Sequence, residues 1–487
     1  MYDAIIIGAG LSGLAAGVRL AHFGRRVLIL ERHYAIGGLN SYYRLDGRNY
    51  DVGLHAVTNF RPKGAKTGPL PRLLRQLRLS WDDFALAEQI GSKIVFPSTA
   101  LDFSNDPALL QSQIAERFPK QIDGFRRLTA ELLDYDAIDT PAARASAREA
   151  VGRQISDPML LEMLFCPIMF YGGANPHDID FGQFSILFRS IFLEGLARPP
   201  AGIRAILKKL VRRFKELGGE LRLRAGVQHL APKSDEVRVV LDDADELSAR
   251  QILSSAGWCE TVRMCDAAAN LSAGANAAVA SNEVPGEQPA DADPPSGQLS
   301  FLESVSTLDA LPAELGYPQT IVFFNDSPQF HWERPQEPVD VRSGVVCSPN
   351  NFVYSDPDSA PSEGSIRLTA LANFDHWNNL PDAEYAAAKQ HWYERLVASA
   401  VRFIADFRAH VVAVDVFTPK TIRRFTGHDN GAVYGAPKKR FDGTTALKNV
   451  FLCGTDQGLV GIIGAMTSGI LMANRLLSGG SRSAESS

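Results

Sequence analysis

The chain opens on an apolar run, Tyr2 to Ile7, interrupted by Asp3, which reads as a short strand. Gly8, Ala9, Gly10, Leu11, Ser12 and Gly13 follow as G-A-G-L-S-G. Small and apolar residues from Leu14 to Phe23 read as a helix, Gly24-Arg25-Arg26 as a turn, and Val27 to Leu30 as a second strand ending at Glu31. A hairpin is expected over Ser41 to Val52, turning at Asp46-Gly47, a favoured pair for a two-residue turn. Helical spacing of apolar residues marks Leu70–Leu79, Ala108–Phe118, Ile122–Leu133 and Ile203–Leu217. Leu221–Val227, Val237–Leu241 and Glu246–Leu253 read as strands of a small meander that ends at Ser254-Ser255-Ala256-Gly257. Gln319–Phe324, Gly344–Cys347 and Ser365–Leu371 read as further strands, and Asp382–Phe407 as a long helix. Val450–Cys453 is a last strand, running into Gly454-Thr455-Asp456, then Gly461, Gly464-Ala465 and a helix to Leu477.

Strand, glycine turn, helix, strand and acid within about thirty residues form a dinucleotide-binding unit. Gly8 permits the tight turn, Gly10 lets the backbone approach a pyrophosphate, and Gly13 lets the helix lie close on the sheet. The helix N-terminus directs unsatisfied N–H groups at the phosphates. Glu31 stands where a carboxylate accepts ribose hydroxyls, which fits an unphosphorylated ribose. A lone glycine motif also occurs as a structural turn; here the flanking strand, helix and acid favour the dinucleotide site. Between NAD and FAD this unit does not choose.

Length and composition narrow the classes. At 487 residues two or three domains are expected. A net charge of −5 leaves no basic footprint for nucleic acid. The five cysteines, Cys166, Cys259, Cys265, Cys347 and Cys453, contain no C-x-x-C pair, so neither a metal site nor a disulfide framework is expected, and a reducing, cytoplasmic setting fits. Asp3 and the lack of a basic leader argue against a signal peptide. Gln457–Asn474 carries no charge but is broken by four glycines, so it reads as a buried turn and helix, not a membrane span.

The residues after Glu31 carry a resemblance. Arg32 is followed by Ile36-Gly37-Gly38-Leu39, then by the Asp-Gly hairpin and Asp51-Val52-Gly53-Leu54-His55. This order resembles the FAD-dependent phytoene desaturase, carotenoid isomerase and retinol saturase family of the amine oxidase-like flavoprotein superfamily. Many members have Arg after the double glycine; Leu39 here points to the isomerase and saturase branch. Gly431-Ala432-Val433-Tyr434-Gly435 and the ending Gly454-Thr455-Asp456 are similar to the same group.

The resemblance implies an α/β fold with an α+β second domain. A Rossmann-like FAD domain of glutathione-reductase and amine-oxidase type would use 1–69, 200–265 and 419–487. A discontinuous substrate domain, a mixed sheet covered by helices, would use 70–199 and 299–418. The implied FAD contacts are the glycine turn, Glu31, Arg32, Gly38, Leu39, His55, backbone at Val227 by the adenine, Gly454, Asp456 by the ribityl and phosphate region, Gly461, and a helix starting at Gly464 by the flavin. The implied chemistry is redox change at C–C or C=C bonds of a polyene or isoprenoid by hydride transfer at flavin N5: desaturation, saturation or isomerisation. The implied partners are a lipophilic small molecule and an electron acceptor or donor that the resemblance does not identify. Two alternatives stay open: an amine or protoporphyrinogen-type oxidase, and a non-catalytic prenyl-protein escort.

Three features have two readings each. His55 is either a catalytic side chain at the flavin edge or a histidine satisfied by backbone. Met159–Phe192, dense in Phe, Met, Leu and Ile, is either core or a lipophilic tunnel partly exposed at a membrane face, which would make the protein peripheral on the membrane. Phe330-His331-Trp332 is either pocket lining or an aromatic turn. Asp266–Gln298, almost without bulky residues, is expected to be a flexible insertion.

Overall fold

A computed structural model describes residues 1–135, 145–265 and 295–479. The insertion expected at 266–298 therefore lies, except for its last four residues, outside the described residues. Two large sheets organise the rest. In the first, strands Glu220–Leu223, Val27–Glu31, Tyr2–Ile7, Glu246–Ser254 and Val450–Leu452 run parallel, and Val237–Leu241 and Val227–Pro232 extend it antiparallel. Every residue of Val27–Glu31 is buried, as a parallel strand covered on both faces requires.

Helix Leu11–Ala21 lies on this sheet, between helices Ile203–Glu216 and Gly461–Gly479. Glycines set its closeness. A Cβ at Gly13 would stand 2.1 Å from the Gly8 carbonyl oxygen, and one at Gly469 would stand 2.0 Å from the carbonyl of Ser12. Ile203, Ile206, Leu207, Leu210 and Phe214 bury one face of Ile203–Glu216 against the same core. Each such side chain contributes about 1.5–3 kcal/mol relative to exposure.

The second sheet runs Val411–Phe417, Ser300–Leu308, Gly364–Ala372, Ser343–Cys347, Ile321–Asn325, Ser92–Phe96 and Thr99–Phe103, antiparallel except for the pairing of Ile321–Asn325 with Ser92–Phe96. Helices Pro158–Gly172 and Phe181–Phe188 pack on one face, and Asp382–Ala400 on the other.

The structure corrects several expectations. Leu221–Val227 is not one strand: Arg224 takes a left-handed conformation at φ 54°, ending one strand at Leu223 and starting the next at Val227. Helix Pro69–Leu77, expected at the start of the second domain, buries Leu70, Leu73, Leu74 and Leu77 in the core on the first sheet, against helix Leu11–Ala21. The long helix stops at Ala400, and the closing helix begins at Gly461, three residues before Gly464. Strands Ser300–Leu308 and Val411–Phe417 were not expected, although the first is buried along its whole length. The Phe-rich segment presents no aromatic face to solvent: Phe165, Phe170, Phe181, Phe184, Phe188 and Phe192 are all buried. Phe330 and Trp332 are core residues, and the Trp332 indole donates to the Gly173 carbonyl.

Candidate functional site

Between the sheets lies a cavity of about 760 Å³ that runs from the glycine turn to the second sheet. Its volume falls in the ordinary range for small-molecule sites. At the nucleotide end Gly8, Gly10, Leu11, Ser12, Glu31, Arg32, Gly37 and Gly38 form the wall. Gly8 is left-handed at φ 96°, and Gly10 precedes the helix without any side-chain cap, which leaves the first-turn amides open to an anion. Gly37, left-handed at φ 109°, donates to the Ala9 carbonyl at 2.9 Å and so ties the double glycine to the turn. The Glu31 carboxylate accepts from the amides of Ala9 and His33, each at 2.9 Å. The Arg32 guanidinium reaches across to the Arg424 carbonyl at 2.9 Å.

The middle of the cavity is held by Asp51. Its carboxylate accepts from Arg198 and, at 3.0 Å, from the amide of Ile203, the first residue of a helix. Arg198 also donates to the Leu54 carbonyl at 3.1 Å. The hairpin Tyr42–Leu45/Arg48–Asp51 is thereby pinned, and the backbone from Gly53 to Ala56 passes along the cavity.

At the inner end Phe170, Tyr171, Phe301, Val345, Val433, Tyr434 and Val460 make an apolar, aromatic lining. The Tyr171 hydroxyl is sealed, without a partner among the described residues, and burial holds its pKa well above the usual phenol range. Tyr434 donates to the Phe170 carbonyl, and Lys439 donates to the Tyr434 carbonyl. Burial lowers the Lys439 ammonium to about 8 against the opposing pull of Asp456. Polar groups enter from the second sheet. Glu303, paired with the buried Arg367, lines the cavity, and the Thr369 hydroxyl lies 2.8 Å from His55 Nε2. Burial lowers His55 to about 4, so its imidazole is neutral at ordinary pH; what surface it keeps faces the cavity.

Of the residues singled out from sequence, Gly8, Gly10, Leu11, Ser12, Glu31, Arg32, Gly38, Leu39, His55, Val227, Gly454 and Gly461 line this one cavity. Ala9, Gly13, Asp456 and Gly464 do not. Ala9 and Gly13 shape the turn from behind. Asp456 is turned inward: its two oxygens accept from the amides of Trp258 at 2.5 Å and Ala436 at 2.6 Å, so it braces the loop that carries Tyr434. His55 is satisfied by a threonine hydroxyl rather than by backbone. Sequence reading missed Ser255, Glu260, Thr369, Glu303, Tyr434 and His428 as cavity residues. Tyr434 and Ser255 lay in stretches already noted; the others gain meaning only from the topology. Among the described residues there is no cluster of metal-ligating groups and no helix long and apolar enough to cross a membrane.

Comparison with known proteins adds the family. The model of the flavin containing amine oxidoreductase family matches residues 11–261. A prolycopene isomerase of Daucus carota is 21% identical over 98% of this chain and 80% of its own. An all-trans-retinol 13,14-reductase of Danio rerio is 22% identical over 98% of this chain and 86% of its own. The crystal structure of an oxidoreductase from Methanosarcina mazei superposes with a TM-score of 0.64 at 16% identity, covering 97% of this chain and 99% of that one, which marks a shared fold.

Proposed function

The chain belongs to the flavin-containing amine oxidoreductase family, its cofactor is FAD, and on that premise we propose that it changes the oxidation state or geometry of C–C and C=C bonds in a polyene or isoprenoid. The observation that carries the reading is the inner end of the cavity: aromatic and aliphatic, continuous with the glycine turn, and with the Glu303 carboxylate paired to Arg367. An apolar substrate needs apolar walls and few polar handles. The names of the two relatives, an isomerase of a carotenoid and a reductase of a retinoid, support the same substrate class.

The residues fit the cofactor. The turn at Gly8 and the uncapped start of helix Leu11–Ala21 form a backbone cradle, and Gly13 leaves no room there for a Cβ. Glu31 would receive the ribose, Arg32 and Val227 would flank the adenosine, and the Gly53–Ala56 backbone would run beside the ring system with His55 at its edge. Gly454 and the helix N-terminus at Gly461 would close the opposite wall. When bound, FAD supplies a two-electron acceptor for desaturation or donor for saturation.

The chain's own part is position and dryness. Phe170, Phe301 and Tyr434 hold the substrate and exclude water. His55, neutral and steadied by Thr369, is the base or donor candidate nearest the apolar end, and it can carry a proton only transiently. Lys439 and Asp456 keep the Tyr434 loop in place. A peripheral membrane contact, the route by which a water-insoluble substrate arrives, belongs to this reading.

The test is incubation of the FAD-loaded protein with a phytoene, a prolycopene and a retinol, alongside putrescine as an amine control, followed by chromatography. Conversion of a polyene is expected. Turnover of the amine with every polyene unchanged would overturn the reading. H55A is expected to keep FAD and lose turnover; unchanged turnover would remove His55 from the chemistry.

A further inference from the structure

His428 follows the helix Pro419–Thr426, just past Gly427, and lines the nucleotide end of the cavity together with Glu260. Its Nδ1 lies 3.6 Å from Glu260 Oε1, and the two side chains keep only 12% and 17% of their surface exposed. The same carboxylate oxygen accepts the amide of Asp429 at 2.9 Å, which sets the rotamer of Glu260. Gly257, left-handed at φ 108°, makes room for the pair: a Cβ there would stand 2.1 Å from Glu260 Oε2 and 3.2 Å from His428 Nδ1. Two residues earlier Ser255 donates to the carbonyls of Ile7 at 2.9 Å and Gly8 at 3.3 Å. The acid–histidine pair therefore stands on the wall adjoining the glycine turn, where the dinucleotide's negative charge is expected.

We propose that His428 is a cofactor-binding residue whose imidazolium offsets the negative charge of the FAD pyrophosphate and ribose region, and that the Glu260–His428 pair makes FAD retention weaken as pH rises. This rests on FAD being the cofactor. The charges facing His428 are Glu260 from helix Trp258–Arg263, Asp456 from the turn after Val450–Leu452, and Arg32 from beyond Val27–Glu31. Its chain neighbour Asp429 is engaged with Arg263 and Ser296. Burial lowers the His428 pKa, but Glu260 and then Asp456 outweigh it and the net shift is upward. Below that raised pKa the pair is neutral; above it a buried carboxylate stands uncompensated beside the dinucleotide phosphates. Retention is thus full on the acid side and declines as pH passes upward through the folded-state pKa. His33 and His55, which share the cavity, are both held below the ordinary histidine value by burial, and His55, at about 4, stays neutral over this range. Lys439, near 8, is the other group that titrates there.

The test is FAD affinity of the deflavinated full chain, read by quenching of flavin fluorescence at about pH 6.5 and pH 8.5. Wild type should bind about tenfold more weakly at the higher pH, the scale of one charge-assisted contact. H428Q should bind about tenfold more weakly at the lower pH and lose the pH dependence. E260Q should bind more tightly than wild type at the higher pH, an outcome that simple loss of structure would not give. H428Q with wild-type affinity at both pH values would overturn the proposal. So would H428Q that keeps the wild-type pH dependence, which would assign it to Lys439. A wild-type protein that took up no FAD at either pH would overturn the cofactor assignment itself.

Discussion

At the glycine-turn end of the cavity main chain supplies much of the wall, with a few charged side chains; at the inner end side chains supply it. The first end depends on left-handed Gly8 and Gly37, on uncapped helix amides, and on a carboxylate held by two backbone N–H groups. The second depends on Phe170, Phe301 and Tyr434, on the His55–Thr369 contact, and on the Glu303–Arg367 ion pair. A main-chain wall can be built in few ways, because its geometry requires particular residues at particular φ values. A side-chain wall can be respecified without moving the backbone. The contrast fits a scaffold that keeps one end constant while its relatives carry names of different reactions.

The sharpest way to break the contrast is the ion pair. R367M strands Glu303 as a buried carboxylate without its partner and should destabilise the fold by about 3–5 kcal/mol, read by urea unfolding. The double change R367M/E303L should recover most of that loss; no recovery would mean that Arg367 acts mainly through its bond to the Asp51 carbonyl.

G13A comes next. Its Cβ would stand 2.1 Å from a backbone oxygen that cannot yield easily, so a cost of about 1–3 kcal/mol and a protein depleted of flavin are expected from thermal unfolding and absorbance. Full flavin occupancy would mean that the turn is more pliable than a main-chain wall should be.

The third test uses pH. His55 has an ordinary value of 6.5 lowered to about 4 in the fold, so the unfolded chain gains the proton first. Stability should fall by about 2 kcal/mol between about pH 7 and pH 5 from this group, and H55Q should remove that component. The smallest effect is expected for T369V, which deletes one hydrogen bond to His55 at about 1 kcal/mol and should leave FAD affinity intact.

The same contrast governs what the chain reveals before folding. Strand Tyr2–Ile7, the glycine turn and Glu31 are contiguous, and their job is encoded in local conformation, so they are legible. The hairpin is legible for the same reason: Asp46-Gly47 supplies the two left-handed residues its turn needs. Ser300–Leu308 is not, because Glu303, Ser304, Ser306 and Thr307 look like surface residues until Arg367 and two neighbouring strands bury them. The resemblance of the Gly454-Thr455-Asp456 ending implied Asp456 as a cofactor contact; only the tertiary structure brings it the amides of Trp258 and Ala436, 198 and 20 residues earlier in the chain. The pairing of His428 with Glu260 joins residues 168 positions apart and has no local signature.

Separability of the two walls is the claim on which everything else rests, and V433W tests it most directly. Val433 lines the inner end, on a loop that is not part of the glycine turn. The expected result is wild-type FAD affinity with polyene turnover reduced by more than about tenfold, since misplacing a substrate by about 1 Å costs more than that. Equal loss of FAD affinity and turnover, or turnover untouched by the added indole, would contradict a single cavity with a backbone-built cofactor end and a side-chain-built substrate end.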